Sequence, residues 1–258
     1  MQLGRLWRTV RWLKPAQVFG RVRFRLQRPR PDLRAPPPVR ASAAANASNA
    51  TAWVQPPQRE ASLLAPTRFR FLGVEHDLDE VGWDDPALPL LWRYNLHYFD
   101  DLNAAGAETR REAQRALVAR WIADNAPRVR ATAWAPYPTS LRIVNWIKWF
   151  LGGEPAQPPW LASLAVQARW LAQRLEWHLL GNHLFANAKA LVFAGLFFEG
   201  READEWLATG ARILERELPE QVLDDGGQFE RSPMYHALAL EDVLDLLNVL
   251  RTRASDAP

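Results

Sequence analysis

The amino-acid sequence predicts an all-α fold, an incomplete (α/α) toroid of antiparallel helical hairpins. From residue 90 onward, apolar residues recur at the spacing of amphipathic helices, and short Gly- or Pro-containing breaks separate the segments. Short connections make successive helices antiparallel neighbours, and hairpins that cover one another form toroids or solenoids. The predicted helices span residues 93–104, 108–124, 139–152, 158–179, 182–199, 202–217 and 233–252.

Three regions follow one another along the chain. Residues 1–28 have helical periodicity on both sides of Pro15, which predicts an N-terminal helical arm of two short helices. The arm is basic and amphipathic, so it fits packing on the main domain, which we favour, or binding to a membrane surface. Residues 29–66 are rich in Pro and Ala and predict an irregular or mobile linker. The toroid domain then occupies residues 67–254 and begins with an extended segment or hairpin within residues 67–90.

Composition narrows the class of protein. The 258 residues include no Cys, which excludes disulfides, thiolate metal sites and Cys nucleophiles. No apolar run is long enough for an integral membrane segment. The basic N-terminus has no uninterrupted apolar core, so we expect no conventional signal peptide, and the compartment stays open. The thirteen Trp residues suggest thick aromatic packing, a sugar-stacking cleft, or both.

Arginine supplies nearly all the positive charge, because lysine occurs only at positions 14, 148 and 189. The formal net charge is +3. Guanidinium groups bind carboxylate and phosphate well, so the composition fits an acidic partner such as a uronic-acid polymer, a nucleic acid or a membrane surface. The alternative is that arginine simply replaces lysine as the solvated surface cation.

Four polar and aromatic stretches lie where helices are predicted to begin or end. They are WRYNLHYFD at residues 92–100, WAPYPTSLRIVNW at 134–146, EWHLLGNHLFAN at 176–187 and DGGQFERSPMYH at 225–236. In a toroid, helix ends and connecting loops form the rim of a central cleft. The four stretches are therefore predicted to converge on one site.

The residue types in these stretches favour one chemistry. The sequence has no GxSxG, P-loop, GxGxxG or HExxH motif, and no recurring carboxylate pair that would support glycoside hydrolysis. Asn, His, Tyr and Arg beside Trp fit β-elimination on a uronic acid, which removes the C5 proton and expels the oxygen at C4. That reaction needs a group such as Asn or His to neutralise the carboxylate. It also needs a base and an acid, roles open to Tyr or His.

The same stretches resemble the N-terminal helical region of the heparinase II/III-like polysaccharide lyases. The resemblance is carried, in the order expected of the family, by LKPAQVFGRVRFRL, RYNLHYFDDL, WAPYPTSLRIVNWIKW, LEWHLLGNHLFANAKALVFAGLFFEG and DGGQFERSPMYHALALEDVLDLL. It implies a toroid that cleaves an anionic, uronate-containing polysaccharide of the heparin, heparan or alginate type. We expect no cofactor in this chain; the family's metal sites lie outside the matched region. Relatives continue into a β-sheet domain, which we expect to be absent here, so a separate sheet domain or chain is a candidate partner.

The resemblance also assigns residues. Asn182 and His183 match the position that neutralises the substrate carboxylate, and Tyr235 matches the tyrosine that transfers the proton. Each has a structural alternative: Asn182 could cap a helix, and Tyr235 could be a core tyrosine. Arg142 could pair with Glu176 instead of a substrate carboxylate. The residues predicted to bind substrate are Tyr94, Asn95, His97, Trp134, Tyr137, Arg142, Glu230, Arg231 and His236.

Two other functions stay open at this point. One is a non-catalytic module that binds acidic glycans, and the other is a helical scaffold in polysaccharide assembly that uses the basic arm. We expect no nucleic-acid partner. We also expect no metal site, because His178 and His183 do not share a helical face.

Overall fold

The computed structural model describes residues 11–41, 54, 56–129 and 131–254. Within these residues, three short 3-10 helices span Asp100–Asn103, Ala107–Arg110 and Thr132–Trp134. None of the helices in the described residues is long and apolar enough to cross a membrane. The main elements are α1 (Pro15–Leu26), β1 (Leu63–Ala65), β2 (Arg68–Phe71), β3 (Val74–Asp77), α2 (Leu78–Val81), α3 (Leu90–Leu96), α4 (Arg111–Asp124), α5 (Pro136–Leu151), α6 (Pro158–Gln173), α7 (Gly181–Phe197), α8 (Arg201–Gln221) and α9 (Pro233–Ala254).

The predicted all-α architecture is confirmed, with one small antiparallel sheet in the order β1-β2-β3 beside the helices. α7 is the central helix, because every residue from Leu184 to Phe197 is buried. It packs closely against α8, where a Cβ placed on Gly195 would lie 2.6 Å from the carbonyl oxygen of Ala203. Such close approach needs glycine at this position, since any larger residue would push the two helices apart.

The tryptophans in the helical body form its aromatic core. Trp121, Trp146 and Trp170 are fully buried, and their rings pack edge-on or tilted against neighbouring aromatic rings. Trp149 stacks on Trp160 with ring centroids 5.3 Å apart. These tryptophans therefore pack the core. Contacts between their rings stabilise it beyond the effect of burying apolar surface alone.

The basic arm packs on the helical body, as predicted, through α1. A Cβ on Gly20 would lie 2.9 Å from the backbone nitrogen of His178, so α1 contacts this segment with its backbone. The Phe24 ring lies 4.3 Å from the His178 ring, and the Arg174 guanidinium lies 4.3 Å above Phe24. The first helix predicted for the arm falls mostly in residues 1–10, which lie outside the described residues.

The predicted linker is irregular, but its described part is fixed to the helices. Arg169 donates hydrogen bonds to the carbonyl oxygens of Arg34 and Ala35 at 2.7 and 2.9 Å. Arg40 donates to the carbonyl oxygens at the end of α7. β1, with buried Leu63, also lies inside the predicted linker and pairs with β2. The structure thus places the start of the folded body before residue 67, because side-chain donors and strand pairing satisfy this backbone.

The helix predicted at residues 93–104 is interrupted after α3. The carbonyl oxygen of His97 accepts a hydrogen bond from Arg142 at 3.2 Å, and that of Tyr98 accepts one from Asn145 at 3.0 Å. These side chains take the place of helical N–H donors. Long-range polar contacts therefore end a helix that local periodicity predicts to continue.

Two other predicted ends also move. The helix predicted at residues 158–179 ends at Gln173, because the side chain of Asn187 binds the backbone N–H of Glu176 at 2.8 Å and fixes a loop there. α8 continues to Gln221, past Pro219, although the sequence predicts that it ends at residue 217. Proline in the last turn removes only one helical hydrogen bond, so the helix tolerates it there.

Candidate functional site

Three helices run in the same direction and begin at one end of the body. Tyr137 of α5 contacts His183 of α7, with ring centroids 4.6 Å apart. One turn further along both helices, Asn187 donates a hydrogen bond to Ser140 Oγ at 3.0 Å. Matching contacts in the same order show that α5 and α7 are parallel.

α9 follows the same direction. Arg59 and Asp100 link Glu241 of α9 to Asn145 of α5, and one turn further along both helices Asp245 binds Lys148. Asp242 faces α7, where it binds Lys189. Tyr235 precedes Asp242 by two helical turns on the same face of α9. The first turns of α5, α7 and α9 therefore lie together at one end of the helical body, which we call the rim. They carry Tyr137, Asn182, His183 and Tyr235.

The start of α7 has an unusual backbone. Leu180 is the residue before the helix and has φ 60°, and Gly181 has φ 56°. Positive φ is uncommon for leucine and costs of order 1–3 kcal/mol, a strain that often marks functional sites. Because Leu180 occupies the capping position, Asn182 is not the helix cap. The side-chain amide of Asn182 is half-buried and forms no hydrogen bond with another described residue.

His183 is held beside a buried carboxylate. Its Nδ1 lies 3.3 Å from Oε1 of Glu176. Asn187 fixes that carboxylate by donating to Oε2 at 3.1 Å, and Ser140 in turn accepts from Asn187. The sequence prediction weighed Glu176 only as a partner of Arg142. The sequence feature that indicates a buried polar partner here is Asn187, a polar residue in an otherwise apolar stretch of α7.

Three predicted substrate-binding residues lie under this rim, in the core. His97, Arg142 and Trp134 are buried, so their side chains do not reach a polymer at the surface. Burial, together with the charge of Arg142, lowers the pKa of His97 to about 3, so its imidazole is neutral and accepts a hydrogen bond from Trp121.

Arg142 is used inside the protein. Its guanidinium binds the side-chain oxygen of Gln167 at 2.9 Å and the carbonyl oxygen of Ala133 at 2.9 Å, and it lies 3.9 Å above the Trp121 ring. It pairs neither with Glu176 nor with the surface. The expected substrate contacts of this arginine are replaced by internal ones, because the folded chain encloses it on all sides.

The remaining predicted residues lie nearer the surface. Tyr94 is half-buried, and burial together with the charge of Glu176 raises its pKa. Asn95 uses its amide to bind the carbonyl oxygen of Leu91 at 2.8 Å, within α3. Glu230 and Arg231 precede α9, His236 lies in its first turn, and all three are exposed. Within the described residues, their side chains make no ion pair or ring contact with the other site residues.

A buried ion cluster joins the three helices below the rim. Asp245 Oδ2 of α9 lies 3.0 Å from Nζ of Lys148 on α5 and 2.6 Å from Nζ of Lys189 on α7. Asp242 also binds Lys189, at 2.7 Å. Burial by itself would lower the pKa of Lys189. The negative charges of Asp242 and Asp245 outweigh this effect and raise the pKa. The cluster therefore fixes the spacing of the helices that carry the candidate site.

Tyr137 keeps its proton over an extended pH range. Burial, followed by the charges of Asp242 and Asp100, raises its pKa to about 12 from an ordinary value of 10.0. At neutral pH its hydroxyl is a hydrogen-bond donor and not a base. Among the described residues, no group of three or more His, Asp or Glu side chains could hold a metal ion.

We expect Tyr137 to contribute stability that is lost in alkali. Its folded pKa is above the unfolded value, so the contribution is complete below pH 10 and disappears as pH rises through about 12. Absorbance titration of tyrosinate should show, in the difference between wild type and Tyr137→Phe, a component with a midpoint near the upper value. A difference curve centred at the ordinary tyrosine pKa would contradict the burial of this hydroxyl.

Comparison with known proteins identifies what this arrangement resembles. The family model described as "Heparinase II/III N-terminus" matches residues 91–257. A heparin-sulfate lyase of Bacteroides stercoris is 34% identical over 123 residues, which are 45% of this chain and 18% of that protein. A heparin-sulfate lyase of Pedobacter heparinus is 32% identical over 114 residues, which are 42% of this chain and 17% of that protein.

Solved structures show the same fold. A heparinase III structure has a TM-score of 0.54 and 20% identity, over 97% of this chain and 43% of that one. A second heparinase III structure has a TM-score of 0.53 and 20% identity, over 94% of this chain and 40% of that one. The chain thus spans less than half the length of the proteins it resembles. Since the family model covers well over half of its residues, the chain belongs to the heparinase II/III family and corresponds to the family's N-terminal helical region.

Proposed function

We propose that this chain carries the helical half of a lyase that cleaves a uronic-acid-containing polysaccharide, of the heparin or heparan sulfate type, by β-elimination. The observation that carries the proposal is the placement of Asn182, His183 and Tyr235 in the first turns of two parallel helices. Relatives named heparin-sulfate lyase support the substrate class.

The start of α7 suits a carboxylate. The first N–H groups of a helix have no intrahelical partner, and the helix dipole makes this end positive. The amide of Asn182 adds a neutral donor beside these groups. A uronate carboxylate bound here would be neutralised, and the negative charge that develops when the C5 proton leaves would be stabilised.

Tyr235 would transfer the proton. In β-elimination the C5–H and C4–O bonds break, a C4–C5 double bond forms, and the departing oxygen gains a proton. A tyrosine on a neighbouring parallel helix is suited to take the C5 proton or to protonate the leaving oxygen. The His183 ring contacts the Tyr137 ring, and Glu176 fixes the orientation of the imidazole, so we assign His183 to carboxylate binding.

Asn182→Ala should lower the elimination rate by about 10²–10³-fold, the usual effect of removing one donor from a developing oxyanion. The measurement is ultraviolet absorbance of the new double bond on heparan sulfate, heparin, alginate, hyaluronan and bacterial capsular polymers. The matched control is Asn125→Ala, because Asn125 is also half-buried but binds the Trp121 carbonyl oxygen elsewhere. Equal activity in both variants would contradict the role of Asn182.

If the folded protein produces no rise in absorbance on any polymer, a binding measurement is needed to interpret the result. Polymer binding measured in parallel, for example by fluorescence of the labelled polymer, then separates two cases. Binding that Asn182→Ala weakens would identify an acidic-glycan-binding module, and absence of both binding and elimination would overturn the proposed function.

A further inference from the structure

The outward face of α1 is apolar, although it is exposed. α1 contacts the body through Gly20 and Phe24, which share one side of the helix. Phe19, Val22 and Leu26 lie on the opposite side and are 75%, 53% and 75% exposed. An ordinary surface helix turns its apolar stripe inward and its polar side to water, so this arrangement is reversed.

Arginines border this apolar strip on both sides. With about 100° of rotation per residue, Arg21 and Arg25 lie along one edge of the strip and Arg23 along the other. All three are exposed, and none forms an ion pair within the described residues. An apolar strip edged by unpaired cations is the pattern of helices that lie in the interface of an anionic bilayer, where the arginines contact lipid headgroups.

We propose that α1 docks this protein on an anionic lipid surface, with Phe19, Val22 and Leu26 inserted at the headgroup boundary. The choice of lipid over a sulfated polymer rests on the exposed apolar strip, because a polyanionic sugar would contact only the arginines. The docking helix is fixed to the loop that carries Glu176, since Gly20 lies against the backbone of Trp177 and His178. Lipid binding by α1 would therefore hold the body, with its candidate site, at the membrane. This inference does not depend on the proposed lyase activity.

Vesicle co-sedimentation of the full chain tests the proposal. The vesicles are phosphatidylcholine alone and phosphatidylcholine mixed with phosphatidylglycerol. The wild type should bind the mixed vesicles, and high salt should weaken this binding. F19S/L26S should lower partitioning by about tenfold or more, because two inserted apolar side chains are lost. R21Q/R25Q should lower it by about fivefold for each arginine, only on anionic vesicles.

The matched control is Leu72→Asn, which removes another exposed leucine, at the β2–β3 turn, where φ is 54° and asparagine is accommodated. This variant should bind as the wild type does. The proposal is overturned if the wild type ignores anionic vesicles, or if F19S/L26S and R21Q/R25Q both bind unchanged. It is also overturned if sedimentation without lipid shows a dimer that F19S/L26S dissociates, because the strip would then contact a second copy.

Discussion

Tyr235→Phe should lower the rate of β-elimination by about 10²–10⁴-fold, while the variant keeps its fold and still binds polymer. The substitution removes one hydroxyl, and proton transfer by a positioned side chain contributes a factor of this size. Tyr235 is half-buried in the first turn of α9, and its hydroxyl has no hydrogen-bond partner among the described residues. Loss of the hydroxyl therefore leaves no buried group unsatisfied, so the effect should fall on kcat and not on stability or KM.

The matched control is Tyr98→Phe. Tyr98 is buried and packs edge-on against Tyr137, with ring centroids 6.0 Å apart. It lies next to the candidate site but is enclosed, so its variant should retain the rate within a few-fold. A Tyr235→Phe enzyme as active as Tyr98→Phe would show that another group transfers the proton. An equal rise in KM and fall in kcat/KM, with kcat unchanged, would instead assign Tyr235 to binding.

Asp245→Asn should lower the free energy of unfolding by about 3–5 kcal/mol, the usual cost of leaving a buried charge without its partner. Asp245 is buried and is the only carboxylate within ion-pair distance of Lys148 among the described residues. Asparagine keeps the shape of the side chain, so the change isolates the charge. Urea unfolding followed by circular dichroism measures the difference.

The contribution of Asp245 to the free energy of unfolding changes with pH in a direction that its pKa determines. Burial opposes the charge of Asp245, but Lys189 and Lys148 outweigh it and hold the pKa of the carboxyl below 3.8. Its contribution is therefore present above that value and is lost as pH falls through the lower folded pKa. Asp245→Asn should lack this acid-dependent component.

The control for this prediction is Glu220→Gln. Glu220 forms an ion pair with Lys14 at 2.7 Å, but both side chains are largely exposed. Exposed pairs contribute about 0–1 kcal/mol, so this variant should unfold almost as the wild type does. A loss for Asp245→Asn as small as that of Glu220→Gln would contradict the buried cluster, and the spacing of α5, α7 and α9 would need another cause.

The sequence by itself determined the helical architecture and the starts of the two helices that carry Asn182 and Tyr235. α5 begins at Pro136, three residues before the start predicted at residue 139. The other two starts lie within one residue of the prediction, and the local signals there are Gly181 for α7 and Pro233 for α9. They placed Asn182 and Tyr235 in first turns before any contact was known. Local chain geometry fixes such positions, so periodicity and turn residues are sufficient to predict them.

Only the tertiary structure decided which polar residues face outward. α5 and α7 are buried almost all round, so their sequences contain no polar stripe that would separate Arg142, inside the core, from Tyr137, at the rim. The pairing of Glu176 with His183 and of Lys148 with Asp245 joins residues from different helices or loops. These contacts depend on how whole helices pack, and helix packing is set by long-range burial that no local pattern in the sequence records.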